Sequence, residues 1–419
     1  MKVVLLNVKY SNNLGDGIIA ECFEHALRRS GQKLTVESCD LAGRTGYGVE
    51  SGGLRSVALE ILNMLPAAMR RPALASMVRY QVKAKGLGEY RRRLSDADVV
   101  IIGGGQLIAD AGLNFPLKIS AAVELGRRNG ARIAIFGAGV GHLVSEKGIE
   151  LFREAFDDGL ELVGLRDDLS IARWRAVFEE PTPYRVRDPG LLVSDLYPVA
   201  KVNGSSKPRI GVGVTDPRVL RLHSDADDAW CENPDWIGLY AQFVTSLIEE
   251  GFDVSLFSNG APDDQAFALR VMKRVEAQHQ SRKSISLMDR PVVPQQLAEM
   301  IAGFDAIVAH RLHANIIAYS YGVPHVGLSW DHKVNEFFKA VDRSEFLIGP
   351  RELMWSGKAT DLVGRALREG IDPDGVSRAK RDALNDIERM CARLCTGKSR
   401  SAHDLVDADS RGLGVSPIL

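Results

Sequence analysis

The sequence predicts an α/β protein made of two Rossmann-like domains that face one cleft. Short apolar segments, typical of buried parallel strands, alternate with segments whose apolar residues recur at helical spacing. This alternation pauses once, at the Gly-, Ser- and Pro-containing linker 198–208, and then restarts. The chain of 419 residues is also too long for one ordinary core, so two domains of roughly 200 residues each are expected.

The linker divides the chain into four parts. We assign residues 1–200 to an N-terminal Rossmann-like domain and residues 209–350 to a C-terminal one. Residues 351–395 are predicted to be C-terminal helices that cross back to the first half. Residues 396–419 read as a polar tail.

The first half opens with a strand, a loop, a helix and a second strand. Residues 2–8 are apolar on both faces, as in a parallel strand covered by helices. Residues 17–30 show helical apolar spacing, and Asp16 is predicted to be the N-cap of that helix, with Asn13 and Gly15 in the loop before it. Residues 34–39 form the second strand.

Three more strands are predicted in this half, and each ends in glycines or a charged side chain. They are residues 98–102, 132–136 and 160–165. The side chains and glycines that follow them are Gly103, Gly104, Gly105, then His142 after a glycine-rich turn, and Arg166 with Ser170 in the next helix. Because the carboxyl ends of parallel strands meet at one edge of a sheet, these residues should share a rim.

Residues 43–94 are a basic helical insertion in this half. Between residues 53 and 94 there are nine Lys and Arg against two Glu, a net charge of +7, so the rest of the chain carries −8 to give the total of −1. A basic amphipathic segment of this kind can lie on an anionic membrane surface. It can equally be a solvated helical hairpin that packs on its own domain.

In the second half, the segment 304–332 concentrates the polar chemistry. A predicted strand, Ala306–Ala309, ends at His310-Arg311-Leu312-His313, and a helix over 314–321 follows. The next strand, 325–329, ends at Trp330-Asp331-His332. Two successive strands thus deliver Arg and His to one crevice, which predicts an anionic ligand. His310 and His313 could bind a metal, but no third ligand at helical spacing supports one, so no metal is predicted.

The bulk composition excludes several classes of protein. A net charge of −1 indicates no nucleic-acid partner. Five scattered Cys without a CxxC pair indicate a reducing cytoplasm and no disulfide framework. The first apolar run is too short for a signal peptide, and no stretch reaches the length of a membrane span.

Four motifs together resemble the polysaccharide pyruvyl transferase family, over about residues 3–340. They are Asn13-x-Gly15-Asp16, Gly103-Gly104-Gly105, Arg166-x-x-x-Ser170, and Arg311-x-His313 followed by Gly322-x-Pro324. The resemblance implies a fold similar to the GT-B glycosyltransferases. It also implies transfer of the enolpyruvyl carbons of phosphoenolpyruvate onto two hydroxyls of a sugar, as a cyclic pyruvate ketal.

The resemblance further implies how the site is divided. The donor would lie between the domains, held by Arg166, Arg311 and His313, and more loosely by His142. The triple glycine 103–105 would let its backbone approach the donor. The N-terminal domain would face the acceptor and the C-terminal domain the donor.

Chemistry agrees with this division. Guanidinium groups pair with carboxylate and phosphate, His313 can protonate the enol, and Asp16 can take a hydroxyl proton. Phosphoenolpyruvate is then a co-substrate, and no cofactor is expected. Asn13, Gly15, Ser170, His310 and His332 are further candidates for the site.

Two other functions stay open at this stage. One is a nucleotide-sugar-dependent glycosyltransferase of the GT-B type, for which Asp331 or Glu336 could contact a ribose. The other is a non-catalytic protein that binds a glycan or a biosynthetic partner. The acceptor is expected to be a saccharide of a bacterial-type polysaccharide or exopolysaccharide, free or lipid-linked. The protein is expected in the cytoplasm, either free or in peripheral contact with the inner face of the membrane through residues 53–94.

Overall fold

The computed structural model describes most of the chain. The described residues are 1–48, 67–110, 112–141, 143, 145–200, 207–218, 235–278, 284–349 and 357–396, with the side chains of 67–71 excepted. His142, part of the basic insertion, the centre of the linker and the polar tail therefore lie outside the described residues.

The first half forms a six-stranded parallel sheet in the order β2-β1-β3-β4-β5-β6. Its strands are β1 Lys2–Asn7, β2 Thr35–Asp40, β3 Val99–Ile108, β4 Arg132–Val140, β5 Val163–Leu165 and β6 Tyr184–Arg185. Its helices are α1 Leu14–Arg29, α2 Ala67–Gln81, α3 Leu87–Leu94, α4 Asn114–Arg128, α5 Glu146–Phe156, α6 Asp168–Arg175 and α7 Val193–Leu196, with a π-helix at Val82–Gly86 and a 3-10 helix at Pro189–Leu192. The inner strands are buried on both faces, as their continuous apolar sequences predict.

The second half forms another six-stranded parallel sheet, in the order β12-β11-β10-β7-β8-β9. Its strands are β7 Arg209–Gly213, β8 Asp253–Phe257, β9 Ile285–Leu287, β10 Ala306–Ala309, β11 His325–Leu328 and β12 Leu347–Ile348. Its helices are α8 Trp236–Glu249, α9 Pro262–Gln278, α10 Pro294–Ala302, α11 Leu312–Ser320 and α12 His332–Ala340, with a 3-10 helix at Ser344–Phe346. The predicted fold of two Rossmann-like sheets is confirmed.

In each sheet the strand order reverses once. The reversal lies between β1 and β3 in the first sheet, and between β7 and β10 in the second. Ligands of open parallel sheets bind beyond the carboxyl ends of the strands at such a reversal. The loops after β1 and β10 are therefore the expected walls of a site.

The last two helices, α13 Lys358–Glu369 and α14 Pro373–Thr396, follow the second sheet, and α14 returns to the first. Arg132 Nη2 donates a hydrogen bond to the Leu394 carbonyl at 2.7 Å. The backbone N–H of Arg187 donates to Asp386 Oδ2 at 2.8 Å. The predicted crossing back is thus observed in the described residues.

Several predicted element boundaries are wrong, and three of these differences bear on the site. Helix α1 begins at Leu14, so Asn13 is the N-cap residue, without a side-chain cap, and Asp16 lies in the first turn. Strand β3 does not end before the triple glycine but continues to Ile108, with Gly104 and Gly105 at positive φ and a shift in the register with β4 between Gly105 and Ile108. Helix α11 begins at Leu312, so His313 lies inside it.

Candidate active site

The carboxyl edges of the two sheets meet at the start of α1. A Cβ atom on Gly15 would lie 2.6 Å from the Cβ of His313, closer than real Cβ contacts. The backbone N–H of Leu14 donates to the Asn259 carbonyl at 2.9 Å. Only a glycine at position 15 therefore lets the first turn of α1 pack flat against the first turn of α11, and this contact places the two rims face to face.

His313 lies at the centre of this contact. It is 7% exposed, and its Nε2 is 3.9 Å from Asp188 Oδ2. Neither atom has a hydrogen-bond partner among the described residues. Burial lowers the pKa of His313 well below its ordinary value, and the positive charges of three neighbouring residues lower it further, namely Arg166, Lys333 and Arg311. Burial and these three charges all favour the neutral form of the imidazole.

Arg166 follows β5 and approaches His313 from the first sheet. Its Nε is 3.4 Å from Asp167 Oδ2, and its Nη1 is 3.8 Å from Asp188 Oδ2. The guanidinium lies over the backbone of β4, since a Cβ on Gly139 would be 2.8 Å from Arg166 Nη2. Arg166 is thus a nearly buried cation with only loose ion pairs.

Arg311 is the N-cap residue of α11 and approaches from the second sheet. Its Nη2 donates to Asp264 Oδ2 at 2.7 Å, and Asp264 is fully buried. Its Nε has no hydrogen-bond partner in the described structure. One edge of this guanidinium is fixed by the protein, and the remaining N–H groups can bind a ligand.

Lys333, in the first turn of α12, is a third cation, which the sequence analysis missed. Its Nζ is 2.7 Å from Asp331 Oδ2 and 3.2 Å from Gln106 Oε1, which belongs to β3 of the other half. Burial lowers the pKa of this amine, as do the charges of Arg166 and Arg311, while Asp331 opposes the shift. The only sequence signal for Lys333 is its position one residue beyond the predicted strand-end cluster 330–332.

Asp16 reaches the same place from α1. A Cβ on Gly105 would lie 3.8 Å from Asp16 Oδ1, so the triple glycine runs beside this carboxyl group. Burial raises the pKa of Asp16, whereas a hydrogen bond with Ser11 and the charges of Arg44, Arg311 and Lys333 oppose the rise. The structure therefore brings together six of the predicted site residues: Gly15, Asp16, Gly105, Arg166, Arg311 and His313.

Asp188 is the second residue that the sequence analysis missed. It precedes the 3-10 helix Pro189–Leu192, and its Oδ1 accepts a hydrogen bond from the Gly190 N–H at 2.8 Å. Burial raises the pKa of this carboxyl group, and the Arg166 charge opposes the rise. Asp-Pro-Gly in a sequence indicates a turn, so nothing local distinguishes Asp188 from an ordinary turn residue.

Three predicted candidates make contacts within the protein, and these contacts account for their positions without a ligand. His310 is fully buried and meets the ring of Tyr240 edge-on, and burial lowers its pKa to about 3. Ser170 Oγ accepts from the Val140 N–H at 2.9 Å. His332 bridges the halves, with Nδ1 3.0 Å from Asp331 Oδ1 and Nε2 3.3 Å from Arg173 Nη1.

The other predicted candidates lie at the edge of the cluster or outside the described part. Asn13 Oδ1 is buried without a hydrogen-bond partner in the described structure. Gly103 and Gly104 pack against the Phe136 carbonyl and the Ile19 side chain, which leaves no room for a Cβ. His142 lies outside the described residues.

A cavity of about 1140 Å³ opens beside these side chains, between the two halves. Arg166, Asp188 and Lys333 line it, whereas Asp16, Arg311 and His313 do not, and it extends to arginines of α14, Arg389 and Arg393. This volume accommodates a small anion together with part of a larger substrate. Within the described residues, no group of three His, Cys, Asp or Glu side chains is placed to hold a metal ion. No helix in that part of the chain is long and apolar enough to cross a membrane.

Two parallel Rossmann-like sheets with a charged cleft between their carboxyl edges form the GT-B architecture, and solved structures with this fold match nearly the whole chain. UDP-GlcNAc 2-epimerase from Methanocaldococcus jannaschii is 11% identical, with a TM-score of 0.53, over 95% of this chain and 100% of that one. A putative UDP-N-acetylglucosamine 2-epimerase from Listeria monocytogenes is 14% identical, with a TM-score of 0.53, over 92% and 94%. At such low identity, these similarities establish the fold alone.

The sequence comparisons define the family. The family model for polysaccharide pyruvyl transferase matches residues 13–332, so the chain belongs to that family of transferases. The predicted membership is confirmed. A search among curated protein sequences found no match.

Proposed function

We propose that this protein transfers the pyruvyl group of phosphoenolpyruvate to two hydroxyls of a saccharide, forming a cyclic ketal and releasing phosphate. One observation carries this proposal: three positive charges, those of Arg166, Arg311 and Lys333, lie near His313 between the carboxyl edges of both sheets and lower its pKa. Arg166 Nη1 and His313 Nε2 lie 3.8 Å and 3.9 Å from the same oxygen, Asp188 Oδ2. Three cations in a buried cleft fit a small, highly charged anion, and phosphoenolpyruvate carries both a carboxylate and a phosphate.

The two arginines and the lysine suit different parts of this donor. Planar guanidinium groups bind carboxylate and phosphate through two parallel hydrogen bonds, and Arg311 keeps N–H groups free beside its bond to Asp264. Lys333 supplies a point charge that suits phosphate. As the C2–O bond breaks, these charges stabilise the departing phosphate.

The proton transfers fall to His313 and Asp16. A proton added to the CH2 carbon of the enol leaves an oxocarbenium-like C2, which one sugar hydroxyl attacks. The second hydroxyl then replaces phosphate at C2, so two C–O bonds form and one breaks. Of the two hydroxyl protons, one replaces the proton given to the CH2 carbon and the other leaves with phosphate. Asp16, whose pKa is raised by burial, suits the base that accepts them.

His313 needs the donor before it can act as an acid. In the free protein, burial and three cations disfavour the imidazolium ion and lower its pKa. A bound donor adds at least two negative charges beside the same ring, and Asp188 already lies 3.9 Å from Nε2. We therefore propose that donor binding raises the pKa of His313, so that proton donation is coupled to an occupied site.

Family membership implies a saccharide acceptor, and the finer identity of that acceptor is part of the proposal. We propose a bacterial-type polysaccharide precursor, modified in the cytoplasm. No cofactor is proposed beyond the co-substrate. Of the two candidates for ribose binding, Asp331 is buried and pairs with His332 and Lys333, whereas Glu336 lines the cavity, so the alternative of a nucleotide-sugar glycosyltransferase is tested directly below.

A binding titration and a product assay test this function. Phosphoenolpyruvate should raise the melting temperature by mass action, to an extent set by its concentration relative to Kd, and UDP- or ADP-sugars should not. Phosphate release from phosphoenolpyruvate should require a saccharide, and the product should gain the mass of pyruvate minus water. Stabilisation by nucleotide sugars alone, with no phosphate release, would reject the proposal in favour of a glycosyltransferase.

A further inference from the structure

One surface of the first half carries exposed Lys and Arg side chains that make no ion pair within the described part of the chain. We define it by four exposed residues of α2 and the following π-helix, namely Arg79, Tyr80, Lys83 and Lys85, and call it the basic rim surface. None of its three cations forms an ion pair or hydrogen bond with another described residue. The only carboxylate in residues 72–94, Glu89, is bound by Arg92 and Arg93.

An aromatic ring lies among these charges. Tyr80 is 72% exposed, the highest value for a large hydrophobic side chain in the described structure, where the next is Leu269 at 42%. Exposed aromatic rings flanked by Lys and Arg are typical of surfaces that rest at the headgroup level of a bilayer. A soluble polyanion would need the charges but not the ring.

Two close approaches at glycines place α2 and the following π-helix, which carry the basic rim surface, at the carboxyl edge of the first sheet. A Cβ on Gly112, shortly after β3, would lie within 2.3 Å of the Leu74 side chain in α2. A Cβ on Gly43, shortly after β2, would lie 3.0 Å from the backbone of Lys85. Because all strands of this sheet are parallel, the carboxyl ends of β2 and β3 share the rim with Asp16 and Gly105.

We propose that the basic rim surface docks the protein onto an anionic lipid bilayer, with the carboxyl edge of the first sheet turned towards it. The three exposed cations provide long-range attraction to acidic headgroups, and Tyr80 provides the contact with the interface. If the proposed function holds, a saccharide carried on a membrane lipid would then present its hydroxyls at the cleft. The docking itself does not depend on that function.

Vesicle binding by the full-length protein tests the proposal. We expect binding to vesicles that contain one-third phosphatidylglycerol, no binding to pure phosphatidylcholine, and a steep loss of binding as salt rises to about 0.5 M, where the Debye length is only a few ångströms. A triple variant, Arg79→Glu, Lys83→Glu and Lys85→Glu, should bind at least about a hundredfold more weakly, since each cation near an anionic surface contributes roughly a fivefold factor.

A matched variant controls for net charge. Lys273, Arg368 and Arg381 are likewise exposed and unpaired among the described residues, but they lie on helices α9, α13 and α14. Their reversal to Glu changes the total charge equally and should leave vesicle affinity within about threefold, because exposed charges beyond a Debye length are screened. Equal losses in the two triple variants would overturn the assignment of this surface, as would absence of wild-type binding.

Tyr80 separates a bilayer from a soluble polyanion. Tyr80→Ser keeps every charge, so it should weaken binding to anionic vesicles several-fold and leave binding to heparin unchanged. Loss of affinity for both probes, or for neither, would overturn the bilayer as the partner. Because vesicle binding is read without phosphoenolpyruvate, this result is independent of whether the proposed transfer reaction occurs.

Discussion

Arg311 and Arg166 reach His313 from opposite halves of the molecule, and they are held in different ways. Arg311 is fixed by a hydrogen bond of 2.7 Å to the fully buried Asp264. Arg166 stays 3.8 Å from Asp188, whose Oδ2 has no hydrogen-bond partner among the described residues. The second half thus fixes its cation before any ligand arrives, whereas the first half leaves a cation and a carboxylate incompletely paired.

The difference between the two arginines indicates which side of the cleft gains more stabilisation when an anion binds. Buried charged groups without full hydrogen bonding are costly, and a protein keeps them where a ligand can complete them. The Arg166 side of the cleft therefore gains most from an arriving anion. The Arg311 side supplies a preformed position against which that anion is oriented.

The largest effect is expected at His313. Its backbone belongs to the same helix as Arg311, and its Nε2 faces Asp188 on the Arg166 side. His313→Ala should lower kcat by about 10²–10⁴-fold, the usual loss for a general acid. Donor affinity should change little, because the three cations remain. Steady-state kinetics and a phosphoenolpyruvate titration measure the two quantities separately.

His313→Gln is the matched control for this change, since an amide can hydrogen-bond but cannot deliver a proton at neutral pH. We expect it to be as slow as His313→Ala. If His313→Gln turns over at nearly the wild-type rate, His313 only binds the substrate, and the acid must be another group.

A smaller effect separates the two arginines directly. Arg166→Lys and Arg311→Lys both keep the charge and lose the two-pronged geometry, so each should raise KM for phosphoenolpyruvate about tenfold. Only Arg311→Lys should also lower the melting temperature, because it disturbs the short bond to buried Asp264. Differential scanning fluorimetry of the two variants is the measurement. Equal melting temperatures of the two variants would show that the protein holds Arg166 and Arg311 equally firmly.

Much of this site was predictable because chain topology alone dictates it. Carboxyl ends of parallel strands converge, so Arg166, Arg311 and His313 could be expected together from their positions after predicted strands. The local structural role expected of Asp16 is wrong. It was expected to cap α1, but that helix begins earlier, where the Leu14 N–H bonds to Asn259 of the other half.

Lys333 and Asp188 show what the sequence could not reveal. Lys333 becomes part of the site only because Gln106 of the first sheet lies 3.2 Å from its Nζ. Asp188 matters only because α11 brings His313 to within 3.9 Å of it. Both contacts join residues far apart in the chain, and local patterns contain no information about them.

The smallest effect is expected for Asp188→Asn. This substitution changes only the Arg166 side of the cleft. Asp188 Oδ2 lies 3.9 Å from His313 Nε2, where a carboxylate charge would favour the imidazolium ion, so removing that charge should lower the pKa of His313 in the donor complex. Because the protonated ring is the proposed active form, the alkaline limb of the kcat profile should move to lower pH, and kcat at neutral pH should fall several-fold. A pH series of kcat measures this shift.

Stability distinguishes this role from a structural one. Burial raises the pKa of Asp188, so the folded state holds its proton more tightly than the unfolded chain does. Stability is then lost as pH rises from the ordinary carboxyl pKa through the raised one. Asn cannot ionise, and it can still accept the hydrogen bond from Gly190 N–H. Asp188→Asn should therefore melt at the wild-type temperature or above it at neutral pH, while turning over more slowly. A lower melting temperature with an unchanged pH profile would mean that Asp188 only shapes the turn before Pro189.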